Sequence, residues 1–168
     1  MVNCKVAFTG PESSGKTTMA KWAAGFFSCS YVNEYAREYL SGIKEYSMND
    51  LVVIANEQFE LNDEIAKPAV LDTEMLVLKI WFEEKFLKSS EVIQTLLLKQ
   101  KIDYYFLCKP DIPWVEDPLR ENPLDRDRLF LEYRKLLNTM GLPYAVLSGS
   151  IENRKNQIKE SLQHNSLL

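Results

Sequence analysis

Histidine is almost absent. The 168-residue chain has one, His164, close to its end. A histidine-based catalytic triad and the common His-ligated zinc sites are therefore nearly ruled out, and proton transfer falls to carboxylates. Cysteine is scarce and odd in number, with Cys4, Cys29 and Cys108 far apart and without metal-ligand spacing. That excludes a disulfide framework and predicts reduced, mostly buried thiols, as expected of a cytoplasmic protein. No apolar run approaches the roughly 18 residues of a membrane span. Met1 to Lys5 leads straight into strand-like sequence, so no signal peptide is expected. An excess of positive charge is missing as well. Twenty Lys and Arg against 24 Asp and Glu give a net charge of −4, which argues against a protein built to grip a nucleic-acid backbone. No internal repeat, low-complexity tract or interdomain linker is visible.

What is present is the composition of a globular domain, 46% hydrophobic and 26% charged. A chain of this length buries roughly 70% of its unfolded surface, enough for one core. Residues 1–168 are accordingly read as a single domain. Five runs rich in β-branched, aromatic or aliphatic residues read as strands: Lys5–Thr9, Cys29–Asn33, Ala69–Asp72, Tyr104–Cys108 and Tyr144–Leu147. Helix-period segments separate them. One places Leu129, Phe130, Tyr133, Leu136, Leu137 and Met140 on a common face and stops at Gly141, with Pro143 beyond. Another starts near Ser47 or Asn49 and carries Leu51, Ile54, Ala55, Gln58 and Phe59 on one stripe. A third follows Asp72 with Met75, Leu76, Ile80 and Phe86. A fourth, Glu91 to Gln100, is apolar enough to predict that it is well covered. The tail from Ile151 reads as a covering helix, with Arg154 a minor candidate for an adenine contact. Trp22 and Trp81 sit at helical spacing and read as core, although Trp81 would line a pocket if its helix borders one. Strands alternating with helices imply a mostly parallel α/β sheet covered on both faces.

Gly10-Pro11-Glu12-Ser13-Ser14-Gly15-Lys16-Thr17 matches G-x-x-x-x-G-K-[ST]. Chance alone gives such a match in a chain this long about 1% of the time. Here it also follows a strand and opens a helix. The spacing lets the loop wrap a phosphate chain with its backbone N–H groups, while Lys16 reaches the terminal phosphates and Thr17 ligates Mg²⁺. Glu12, Ser13, Ser14 and Thr18 complete the expected ATP-binding turn. Asp72 ends the third strand at the carboxyl edge, where ligands collect in such sheets, and is placed to hold the metal. It would also serve as an N-cap for the next helix. Glu34 follows the second strand and faces the same crevice. Glu34 and Asp72 are the candidates to orient or deprotonate an attacking hydroxyl. Arg37 would either clamp a phosphate or pair with Glu34 or Glu38. The proline-rich stretch from about 110 to 128 has the length of a functional loop. With Trp114, Arg120, Arg126 and Arg128 it reads as a lid that excludes water and brings cations to a transferred phosphoryl group.

These blocks, together with Glu34-Tyr35-Ala36-Arg37-Glu38-Tyr39, Asp72-Thr73-Glu74 and Pro113-Trp114-Val115-Glu116-Asp117-Pro118-Leu119-Arg120, resemble the nicotinamide-riboside kinase domain of NadR-type proteins, within the P-loop kinases. The resemblance runs from about residue 3 to 155. It implies a three-layer P-loop NTPase fold with a five-stranded parallel sheet in the order 2-3-1-4-5. It further implies transfer of the ATP γ-phosphate to the 5′-hydroxyl of nicotinamide riboside, with ATP and Mg²⁺ served by Lys16 and Thr17. Asp72 would serve the metal or the ribosyl hydroxyl, and Arg120 the lid. Arg126 and Arg128 are the further cations expected at the nucleotide. Asn33, Glu34, Tyr35, Arg37, Asp72 and Trp81 are expected around a nucleoside-like acceptor, with no nucleic acid or membrane as partner. Asn33 stands where such domains carry a tryptophan that stacks on the nicotinamide ring, so Tyr31, Tyr35 or Trp81 must supply any stacking. Neither a nucleotidyltransferase domain nor a DNA-binding segment is expected here, and hence neither NAD synthesis nor repression by this chain alone.

Overall fold

A computed structural model describes residues 3–117 and 124–167. Among these, five strands form one parallel sheet in the order β2-β3-β1-β4-β5, comprising β1 Lys5–Thr9, β2 Ser30–Val32, β3 Ala69–Leu71, β4 Tyr104–Cys108 and β5 Tyr144–Leu147. Registers such as Val6 opposite both Val70 and Tyr104 place β1 at the centre. The connections are helices: α1 Lys16–Phe27, α2 Ala36–Tyr39, α3 Met48–Glu64, α4 Met75–Phe86, α5 Glu91–Lys99, α6 Arg126–Thr139 and α7 Ile151–His164. The expected fold class and strand order are therefore observed. Among the described residues no helix is long and apolar enough to cross a membrane.

Side chains alternate across the sheet, and the alternation builds two cores. Val6, Phe8, Val70, Phe106 and Cys108 join Met19, Ala20 and Ala23 of α1 and Ile158 and Leu162 of α7 on one side. Ala7, Leu71, Tyr105 and Leu107 join buried residues of α3, α4, α5 and α6 on the other. Phe8 and Phe106 are fully buried with ring centroids 5.1 Å apart. Each contributes about 2–3 kcal/mol of burial. The small residues of α1 bring the helix close to the sheet, which fixes where its first turn projects. Cys4 and Cys108 are buried and Cys29 is half-buried, all three free thiols. Burial pushes the Cys4 thiol up to about 11, so it is no nucleophile at neutral pH.

Three local expectations are corrected. Helix α5 is not well covered: only Ile93 and Leu97 are buried, whereas Leu98 is 69% exposed. Ile93 and Leu97, with the partly buried Leu96, make the inner face, while Val92 and Leu98 are left on the outside. The N-cap of α4 is Glu74 and not Asp72. The Glu74 carboxylate accepts from the Leu76 amide at 2.8 Å. This leaves Asp72 free of any capping duty. Trp22 lies half-buried on the outer face of α1, stacked on Phe26, outside the fully buried core.

Gly10 leaves β1 with φ +128°, and a β-carbon there would lie 2.7 Å from the Cys108 carbonyl oxygen of β4. Neither backbone can yield without breaking the β1–β4 ladder. Gly10→Ala is therefore expected to destabilise the fold by about 3 kcal/mol, combining overpacking and backbone strain. Thermal unfolding should show a midpoint lower by about 6–12 °C. An unchanged midpoint would contradict this contact.

Candidate active site

The loop between β1 and α1 opens a cavity at the carboxyl edge of the sheet. Gly10 through Thr18 line it, joined by Glu34, Arg37, Asp72, Thr73, Val77, Ile80, Trp81, Glu84, Leu129 and Tyr133. Residues expected to act together are thus brought together. Glu12, Ser13, Ser14, Gly15, Lys16, Thr17 and Thr18 share one space with Glu34, Arg37, Asp72 and Trp81. Val77, Ile80, Leu129 and Tyr133 form an apolar wall that the motifs did not reveal. Their signal was the helical periodicity of α4 and α6, which does not say which part of a buried stripe borders a void.

The loop conformation is unusual in a specific way. Ser13 has φ +49° and Gly15 φ +85°, so successive peptides turn to different sides. Carbonyls that turn away from the cavity find donors. Lys16 Nζ donates to the carbonyls of Gly10 and Pro11 at 2.8 and 2.9 Å. Ser14 Oγ donates to Pro11 O at 2.7 Å, so this serine hydroxyl is structural. Arg126 Nη1 donates to Ser13 O at 3.0 Å and to Ile112 O at 3.1 Å, while its guanidinium stacks on Trp114. Ser13 Oγ also accepts from the Val115 amide at 3.0 Å. The 110–117 segment therefore lies against the loop.

Glu34 and Asp72 are held by a buried amide network. Gln58, fully buried on α3, accepts from the Tyr35 amide at 2.8 Å and donates to Asn33 O at 3.1 Å and Asn62 Oδ1 at 3.1 Å. Asn62 in turn donates to Thr73 O at 3.0 Å. The turn after β2 and the turn after β3 are thereby tied to one helix. Gln58 stood on the apolar stripe of α3, and a glutamine in such a stripe was the available signal. Glu74, also fully buried, accepts from Thr9 Oγ1 at 2.8 Å and from Gln100 at 3.0 Å, fixing α4 to the end of β1.

Asp72 is 3% exposed. Its Oδ2 accepts from the Tyr31 hydroxyl at 2.9 Å, whereas the buried Oδ1 has no hydrogen-bond partner among the described residues. A buried carboxylate oxygen left unpaired is costly. Together with the Thr17 hydroxyl on the same cavity it fits the oxygen chemistry of Mg²⁺, which keeps few protein ligands. The described residues hold no cluster of three or more His, Cys, Asp or Glu able to bind a metal without such help. Glu34 pairs with Arg37 at 2.7 Å, and Arg37 reaches Asp117 at 2.9 Å, so the Glu34–Arg37 pair weighed from sequence does form. Burial raises the Glu34 carboxyl above its ordinary range, with Lys16 and Arg37 opposing the rise.

Several expected contacts fall elsewhere. Asn33 and Tyr35 line a neighbouring cleft with Tyr31, Leu61 and Ile65, which shares Thr17, Glu34, Arg37 and Asp72 with the main cavity. Of the stacking candidates, only Trp81 borders the main cavity, its indole donating to Tyr46 Oη at 2.8 Å. Arg128 is turned to Glu84 of α4 in a two-pronged pair, with one contact of 3.0 Å. Arg126 reaches the loop's carbonyls and not the cavity. Arg154 is buried beneath the loop, with its guanidinium engaged by backbone carbonyls and Asp111. Arg120 lies outside the described residues.

A family model described as an AAA domain, AAA_28, matches residues 5–154. The chain belongs to this AAA-domain family. Among curated proteins it is 29% identical over 132 residues to the trifunctional NAD biosynthesis/regulator protein NadR of Salmonella typhimurium, covering 73% of this chain and 32% of that protein. Against NadR of Escherichia coli K12 it is 29% identical over 144 residues, 80% of this chain and 35% of the relative. The chain thus spans about a third of the length of these relatives. Among solved structures, NadR in complex with NAD and AMP-PNP aligns with a TM-score of 0.76 at 19% identity over 99% of this chain and 50% of that one. NadR in complex with NR gives 0.76 at 20%, covering 97% and 51%. Deoxyadenosine kinase from M. mycoides with bound dCTP gives 0.68 at 13%, covering 95% and 99%. These likenesses confirm the fold of this AAA-domain chain.

The Glu34 carboxyl is expected to titrate above the usual 4.5, and Arg37→Ala should move it higher still by removing an adjacent cation. Because the folded state holds that proton more tightly than the unfolded chain, stability is lost as pH rises from the ordinary value through the raised one. A carboxyl-carbon NMR titration reads this directly. A midpoint at or below the ordinary value would contradict the burial argument.

Proposed function

We propose that this chain is an ATP-dependent kinase of a nucleoside-like alcohol, with nicotinamide riboside the leading acceptor and NMN the product. The observation that carries this reading is the single cavity in which a phosphate-binding loop, two carboxylates and an aromatic, apolar wall meet. The sequence kinship with NadR over most of the chain, and the NadR structures holding NR or AMP-PNP, support the choice of acceptor.

In this mechanism the amides of residues 12–17 and Lys16 bind the polyphosphate. Thr17 and Asp72 Oδ1 would hold Mg²⁺, which when bound supplies charge neutralisation at the β- and γ-phosphates. Glu34, its basicity raised by burial, takes the proton from the acceptor hydroxyl as the new O–P bond forms and ADP leaves. Arg37 stays paired with Glu34 and orients it. Trp81 with Val77 and Ile80 receives the flat base, excluding water from the reacting end. Residues from about 110 to 128 serve as the lid, a role supported by the bond that Ser13 Oγ donates to Pro113 O, by those that Val115 and Arg126 donate to Ser13, and by the Arg37–Asp117 pair. Arg120 is the lid cation expected from the motif, and residues 1–168 act as one kinase-like domain. A second reading, a kinase of another nucleoside, is favoured by the likeness to deoxyadenosine kinase along that enzyme's whole length.

ADP release measured against a panel of ribosides and deoxynucleosides, with product mass confirmed, separates the two. The largest kcat/KM is expected for nicotinamide riboside; preference for a deoxynucleoside would install the second reading. Lys16→Ala should lower kcat by about 100-fold or more, the scale of losing one aimed charge-stabilising donor. Parent-like turnover by that variant would remove the loop from the chemistry.

A further inference from the structure

Arg154 is among the most buried residues of the chain, at 2% exposure, yet it is an arginine. It sits on α7, and all three nitrogens of its guanidinium donate. Nη1 donates to Ser14 O at 2.6 Å, Nε to Gly149 O at 3.1 Å and Nη2 to Lys109 O at 2.9 Å. Nη2 also pairs with Asp111, whose other oxygen accepts from the Gly149 amide at 2.8 Å. One side chain thus joins the phosphate-binding loop, the exit of β4 and the turn that opens α7. It does not line the cavity, whereas Gly15 does.

The Ser14–Gly15 peptide is trans, so its carbonyl and its N–H point in opposite directions. Arg154 holds the carbonyl from the buried side. The Gly15 N–H must then face away from α7, and it has no hydrogen-bond partner among the described residues. The guanidinium lies directly beneath this peptide, since a β-carbon on Gly15 would be 3.3 Å from Nη1. A lysine could supply charge but not a planar fork able to reach carbonyls on three sides.

We propose that Arg154 is a positioning residue of the nucleotide site, which by pinning the Ser14 carbonyl aims the Gly15 amide at the bound polyphosphate. The inference rests on the reading that residues 10–17 receive a nucleotide. It assigns the last helix a part in ATP affinity and none in recognising the acceptor.

The test uses the full chain with Arg154→Met and Arg154→Lys, reading the Kd of Mg²⁺·AMP-PNP and the KM values for ATP and the riboside. Arg154→Met is expected to weaken AMP-PNP binding and raise the KM for ATP by about 10-fold or more, the scale of one aimed hydrogen bond to a charged group. The KM for the riboside should stay within about twofold, inside the scatter of an uncoupled site. Arg154→Lys should recover part of the lost affinity, and it decides the matter if the methionine variant does not fold. Parent-like AMP-PNP affinity in a folded variant, or equal loss for nucleotide and riboside, would overturn the proposal alone. Failure of the parent chain to bind AMP-PNP would instead overturn the reading of the site, and this proposal with it.

Discussion

A loop that offers its amides to an anion has to dispose of its carbonyls elsewhere. In this chain that requirement governs the active-site edge. The carbonyls of Gly10 and Pro11 are taken by Lys16, that of Pro11 also by Ser14, that of Ser13 by Arg126 and that of Ser14 by Arg154. Three of the four donors are cationic. They make charge-assisted bonds, stronger than neutral ones, and they leave positive charge around a loop proposed to receive polyphosphate. The left-handed turns at Ser13 and Gly15 are tolerable because these bonds over-determine them.

The same logic extends to the acceptor side. Glu34 and Asp72 stand at the ends of different strands, and each strand is only three residues long. Sheet hydrogen bonding alone would leave the following turns loose. Gln58 and Asn62, one helical turn apart on α3, bond to both turns and to each other. Glu74 does the equivalent for β1 and α4. Such buried polar groups stabilise only when all are partnered. Two buried side-chain oxygens are exceptions among the described residues, the Thr73 hydroxyl and Asp72 Oδ1, and the latter is the oxygen the proposed chemistry calls on.

What was legible in the sequence was what is local. The strands, the phosphate-binding turn and the carboxylates at strand ends follow from contiguous patterns, and the structure places them together. Gln58, Glu74 and Arg154 were not legible in their roles, because each acts on residues far away in sequence, 140 positions in the case of Arg154 and Ser14. Arg128 carried a charge suited to phosphate, but the α4 carboxylate of Glu84 lies within its reach and claims it. Helix α5 failed as a covered element because apolar content is not apolar placement. The four-residue α2 has no periodicity to detect.

The straps on Ser13 and Ser14 come from α6 and α7, 113 and 140 positions further along the chain. The Arg126 and Arg154 bonds that brace the turn form only when α6 and α7 dock. Contacts this distant in the chain close late and slowly. A chain cut short before residue 154 would keep the motif but lose the Arg154 brace, and with it the share of nucleotide affinity proposed for that residue.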